Sequence, residues 1–141
     1  MRTNEHDLHC KRIVEDLQNY YNGLYISYNG DIYNKEDLEE VTVDYNDYYI
    51  IDGEQVDIND VEELSLYDYF ADDIYNINYI LDSNRELEAV RIMVACGGPN
   101  IYINTWDKKV ELFWWSESGE YYLDNEICEA INDVFTGIYS F

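Results

Sequence analysis

Residues 74–115 read IYNINYILDSNRELEAVRIMVACGGPNIYINTWDKKVELFWW. Four strand-like runs stand in this stretch: IYNINYILD, ELEAVRIMVAC, NIYINTW and KKVELFWW. Each alternates or concentrates Ile, Val, Leu and Tyr, side chains that fit a pleated, half-buried surface. Ser83-Asn84-Arg85, Gly97-Gly98-Pro99 and Asp107-Lys108 separate them. Connections that short allow only antiparallel neighbours, so the four runs form a meander, which residues 116–120 (SESGE) close.

Helical periodicity flanks the meander. Leu8, Ile13, Val14, Leu17 and Tyr21 recur at three- and four-residue spacing before an Asn22-Gly23 stop. Beyond it, from Asp124 to Tyr139, Ile127, Cys128, Ile131, Val134, Phe135 and Ile138 share one face, and the first turn is acidic, which suits the helix dipole. Between the first helix and the meander, LYISYNGDIYN reads as a hairpin turning at Asn29-Gly30. Residues 41–51 (VTVDYNDYYII) read as one strand, with a turn at Asp52-Gly53. Asn59 with Glu62 makes a capping-box pattern for a short helix running through Phe70, with Val61, Leu64 and Tyr67 inward. No internal repeat is visible. The expected fold is α+β in a single domain, residues 1–141: an antiparallel sheet, a hairpin plus a four-strand C-terminal meander, with the N- and C-terminal helices packed on one face.

Composition narrows the function classes. Thirty-one acids against eight Lys or Arg give a net charge of −23, yet 47% of the residues are hydrophobic. Such a chain folds, because it holds far more aliphatic and aromatic surface than a disordered acidic tail. Its charge disfavours contact with DNA, RNA or anionic lipid and favours cationic partners. Three cysteines without paired spacing, Cys10, Cys96 and Cys128, fit free thiols in a reducing compartment. No secretory h-region opens the chain and no run approaches a membrane span, so the expected location is the cytoplasm of a bacterial host.

Catalytic and metal patterns are weak. His6, His9 and Cys10 lie close together, but zinc sites recruit a second ligand pair, and none is present. Cys96-Gly97-Gly98-Pro99 lacks the Lys and the following helix of a phosphate loop, and reads first as a tight turn. A calcium loop started at Asp44 puts Tyr48 and Tyr49 where a ligand and a glycine belong. With so many acids, a chance carboxylate pair carries no information about glycoside hydrolysis. Of the three tryptophans, one is expected in the core and the others half exposed, with Trp114 and Trp115 on opposite faces of their strand. The reading is therefore non-enzymatic, with no cofactor and no metal.

The acidic distribution is the sharper signal. From Glu36 to Asn84 there are 16 Asp or Glu and no Lys, Arg or His. A single-sign field of that length works against compactness, which favours a functional reason for it. Alternate strand residues lie ~6.6 Å apart, so a strand edge carrying acids resembles a row of phosphates. The candidate partner-binding residues are Asp44, Asp47, Asp52, Glu54, Asp57, Asp60, Glu62, Glu63, Asp68, Asp72 and Asp73. Tyr67 and Tyr69 lie among them, as rings on which an arginine can stack.

In this composition the chain resembles the DNA-mimic anti-defence proteins, the anti-CRISPR and anti-restriction proteins of phages and mobile elements. The resemblance covers mainly Glu36 to Asn84. It implies an inhibitor of a basic nucleic-acid-binding protein, for instance a CRISPR effector nuclease or a restriction enzyme, whose DNA-binding cleft the acids would fill. The alternative is an immunity protein that neutralises a basic nuclease toxin.

Overall fold

Asn4 starts the first helix. Its side chain accepts the Asp7 N–H at 2.7 Å while the Asp7 carboxylate accepts the Asn4 N–H at 3.4 Å, which closes a capping box. The computed structural model describes residues 4–71 and 74–138. Helix α1 spans Glu5–Tyr21 and buries Cys10, Val14 and Leu17. This face is rotated from the expected one: Leu8 and Tyr21 are exposed, and Cys10 takes an inward place.

The C-terminal half is the expected meander with one more strand. β7 (Asn76–Leu81), β8 (Leu87–Ala95), β9 (Asn100–Asn104), β10 (Lys109–Trp114) and β11 (Glu117–Tyr122) form one antiparallel sheet in the order β11-β10-β9-β8-β7. The four expected runs are β7 to β10, and the SESGE closure begins β11. Val90, Ile92, Ile101, Ile103, Val110 and Leu112 point to one face and share a core with Val14 and Leu17 of α1. Helix α3 (Asn125–Ile138) adds Ile127, Cys128, Ile131 and Phe135 to the same core, while Ile138 is exposed. Both terminal helices therefore cover one sheet face, as expected.

Two tethers fix this layer. Gly119 lets α1 lie directly on β11, since a Cβ there would come within 2.5 Å of the His6 backbone. Asp7 Oδ1 also accepts the Glu120 N–H at 2.8 Å, so the helix satisfies a donor of the edge strand. On the other side, Thr105 is buried. Its hydroxyl accepts the Val90 N–H at 2.9 Å and lies 2.8 Å from the Asn132 side-chain oxygen, joining β8 to α3.

The segment between α1 and the meander departs most from expectation. β1 (Tyr25–Tyr28) and β2 (Asp31–Asn34) form the expected hairpin. The run expected as one strand is two, β3 (Glu39–Val43) and β4 (Asn46–Ile51). They turn at Asp44 and Tyr45, both left-handed, with φ of 51° and 67°. A type I′ turn needs positive φ at both central residues, and a Tyr there gives no turn signal in sequence. β5 (Glu54–Asp57) follows. The expected helix from Asn59 is broken up: a 3-10 turn covers Ile58–Asp60, β6 covers Glu62–Glu63, and only Leu66–Tyr69 is helical (α2). Glu62 lies opposite Ser27 in a sheet instead of closing a box with Asn59. The capping box that forms is Ser65 with Asp68.

These strands contain a repeat that sequence reading misses. Residues 25–41 and 48–64 correspond in register and turn at a constant offset of 23. Tyr25 opposite Asn34, Ile26 opposite Tyr33, Ser27 opposite Ile32 and Tyr28 opposite Asp31 become Tyr48 opposite Asp57, Tyr49 opposite Val56, Ile50 opposite Gln55 and Ile51 opposite Glu54. The turns match too: Asn29 and Asp52 both have φ of 51°, and Gly30 and Gly53 have 83° and 81°. Asn34 and Asp57 each accept the N–H two residues on, at 2.9 and 2.8 Å, and start a 3-10 turn.

The two copies exchange their third strands. β6 of the second copy pairs with β1 of the first, and β3 of the first pairs with β4 of the second. Ile26 opposite Glu63 in one sheet corresponds to Tyr49 opposite Glu40 in the other. The two three-stranded sheets, β2-β1-β6 and β3-β4-β5, enclose a second core of Ile26, Tyr49, Ile51 and Val56. A chain of edge-to-face rings joins this module to the main core. Tyr25, Tyr20, Tyr69, Phe70 and Phe135 follow one another with centroids 4.8, 5.3, 5.0 and 5.1 Å apart. Such contacts contribute about 0.5–1.5 kcal/mol each beyond area burial.

Candidate partner-binding face

The repeat places acids in pairs. Asp31 and Glu54, Asp37 and Asp60, Glu39 and Glu62, and Glu40 and Glu63 occupy equivalent positions, and all eight are exposed. Within residues 25–64 the one base is Lys35, and its ammonium lies 3.1 Å from Glu63. The exposed charges of the module are therefore almost all negative.

The expected partner-binding residues fall into three groups. Asp44, Asp52, Glu54, Asp60 and Glu62 are exposed on turns and strands of the module. Others have structural work: Asp47 accepts the Thr42 hydroxyl at 2.6 Å, Asp57 caps its 3-10 turn, Glu63 pairs with Lys35, and Asp68 caps α2. Tyr67 is exposed, whereas Tyr69 is packed between Tyr20 and Phe70, where burial, with Asp16 and Tyr20 nearby, raises its phenol pKa. Asp72 and Asp73 lie outside the described residues.

The residue that sequence reading passes over is Tyr45. It stands at the tip of the β3–β4 hairpin, fully exposed, with Asp44 before it and the exposed Asp47 two residues on. A non-glycine residue at φ 67° carries a backbone cost, and strain of this kind concentrates at binding sites. Only the turn geometry reveals it.

The chemical candidates separate in space. Cys10 is buried in the main core while His6 pairs with Glu117 at 3.5 Å. Among the described residues no group of three or more His, Cys, Asp or Glu could hold a metal ion. Cys96 is exposed beside the Gly97-Gly98 turn. None of the tryptophans is in the core: Trp106, Trp114 and Trp115 are all exposed. Among the described residues no helix is long and apolar enough to cross a membrane. No protein-family model matches the chain, and no curated protein or solved structure is similar to it.

Proposed function

We propose that the chain is a non-enzymatic inhibitor whose doubled acidic module occupies the cationic nucleic-acid cleft of a defence nuclease, such as a CRISPR effector or a restriction enzyme. The observation that carries this reading is the pairing of exposed carboxylates across the repeat, with a single neutralised base among them. A surface of one sign steers an oppositely charged partner and rejects polyanions. Tyr45, held out at a hairpin tip among acids, gives an arginine a ring to stack on.

The test begins with capture from a bacterial lysate at low salt, followed by competition with duplex DNA. A basic nuclease or effector should be retained and then released by its target duplex. Association with the captured protein should slow at least about tenfold between 0.05 and 0.5 M NaCl. Charge reversal at Glu39, Glu40, Asp60 and Glu62 should slow it similarly. An association rate indifferent to both salt and charge reversal would overturn the reading. Retention of a single toxin nuclease, unaffected by DNA, would favour the immunity-protein alternative.

A further inference from the structure

Two adjoining cavities meet at the Gly98-Pro99 turn, and His9, which lines the second, also borders a cavity that reaches Ile32 of β2. One, of about 230 Å³, runs beside Gly97, Asn100, Phe113 and Trp115. The other, of about 390 Å³, runs along α1 beside His6, His9 and Arg12. Gly98, Pro99 and Trp114 line both, so the Trp114 ring stands between them. The turn that forms one wall is tied down, because the Gly97 N–H donates to Asn100 Oδ1 at 2.8 Å.

The walls are built to present the ring. A Cβ on Gly98 would lie 2.7 Å from Trp114 Cζ3, so the indole rests directly against this turn and would have to shift for a larger residue. Trp115 follows at φ 54°, in the left-handed region that a bulky residue rarely adopts, and is 89% exposed. Its ring stands edge-on to Trp114 with centroids 6.2 Å apart. Trp114 and Trp115 thus present an exposed aromatic pair at the turn between β10 and β11.

Arg12 gives the second cavity one full positive charge, which Glu5 formally balances. Arg12 makes no ion pair among the described residues, in a chain of net charge −23. His9 lies three residues before it, on the same side of the helix. Glu5 also lines the cavity, but it is seven residues from Arg12, roughly 10 Å along the helix axis. An anion at the Arg12 end is thus separated from that carboxylate.

We propose that this groove binds a small planar anion, a heteroaromatic ring stacked on Trp114 with its phosphate or carboxylate held by Arg12 and His9. A mononucleotide and an aromatic carboxylate share this chemistry. The groove is open, so the ring would enter from solvent, and the negative field of the whole molecule opposes a many-charged nucleic-acid strand far more than an anion of one or two charges. Its residues, Arg12, His9 and Trp114, lie outside the acidic module.

The test titrates the full chain with adenosine 5′-monophosphate and with indole-3-carboxylate. Adenosine, indole and inorganic phosphate serve as the ring-only and anion-only controls. Tryptophan fluorescence and the Trp114 indole N–H resonance report binding. At least one of the two anions should bind about tenfold more tightly than its uncharged ring and than phosphate. The nucleotide responding alone assigns the phosphate, and the indole acid responding alone assigns the carboxylate. Arg12→Gln should weaken binding about tenfold, and Gly98→Ala, which displaces the ring, should weaken it as well. If Gly98→Ala does not fold, Trp114→Leu replaces it. Neither anion outbinding its controls, or an affinity unchanged by Arg12→Gln, overturns the proposal.

Discussion

Cys10 and Cys128 are buried thiols, and Cys96 is an exposed one. Burial first, then nearby carboxylates, pushes the Cys10 thiol from 9.0 up to about 11. Burial does the same to Cys128, which also reaches about 11. A thiol whose pKa is raised on folding favours the native state fully below its unfolded pKa, and that contribution is lost as pH rises through the folded one. The urea midpoint should therefore hold up to about pH 9 and fall steadily towards pH 11. The fall should be shallower in Cys10→Ala/Cys128→Ala, and at pH 8 a thiol reagent should modify Cys96 well ahead of the other two. A flat midpoint across that range would contradict the burial described. At this scale the sequence is least informative. Leu8 is the more apolar choice, but Cys10 stands four and seven residues before Val14 and Leu17 and shares their face, whereas the Leu8 side carries Lys11, Arg12 and Glu15.

At the scale of elements, the meander was readable because each strand is bounded by turn residues and alternates cleanly. The repeat was not. Its copies share Tyr25 and Tyr48, Gly30 and Gly53, and three acids, but their core positions differ. Ile26 stands where the second copy has Tyr49, Tyr28 where it has Ile51, and Tyr33 where it has Val56. Each pair sets one tyrosine against one aliphatic side chain, so the volume the two copies share is kept while the pattern is erased. The second core is small and joins the first mainly through rings, which predicts separate opening. Amides of β1, β4 and β5 should exchange with solvent at a lower opening free energy than those of β8 to β10. Ile26→Ala should cost about 2–5 kcal/mol of module stability. It should speed exchange in both three-stranded sheets, because Ile26 and Tyr49 share the core, and leave β9 protected. Equal acceleration across β9 would show that the two cores open together.

For the whole molecule the governing quantity is a charge of −23 on 141 residues. Repulsion among exposed acids opposes the folded state, and added salt screens it, shortening the Debye length from ~10 Å at 0.1 M to ~3 Å at 1 M. The melting temperature should rise by several degrees between 0.02 and 1 M NaCl, with most of the gain at the low end. Insensitivity to salt would mean that the acids are already neutralised, by bound cations or by one another. The sign and size of this field were legible in composition alone. Its arrangement in equivalent pairs was not, because it follows from a repeat whose core positions differ between the copies.

The exchange of strands between the copies also sets an order of events on the ribosome. The β3–β4–β5 sheet needs only residues 39–57 and can close as soon as they emerge. The β1–β2 hairpin is made earlier, yet its partner β6 appears only with Glu62 and Glu63. Until then one edge of β1 offers unpaired amides and carbonyls to any strand nearby. Of the two three-stranded sheets, the nascent chain thus begins β2-β1-β6 first and completes it second, and a truncation before residue 62 would leave that edge permanently open.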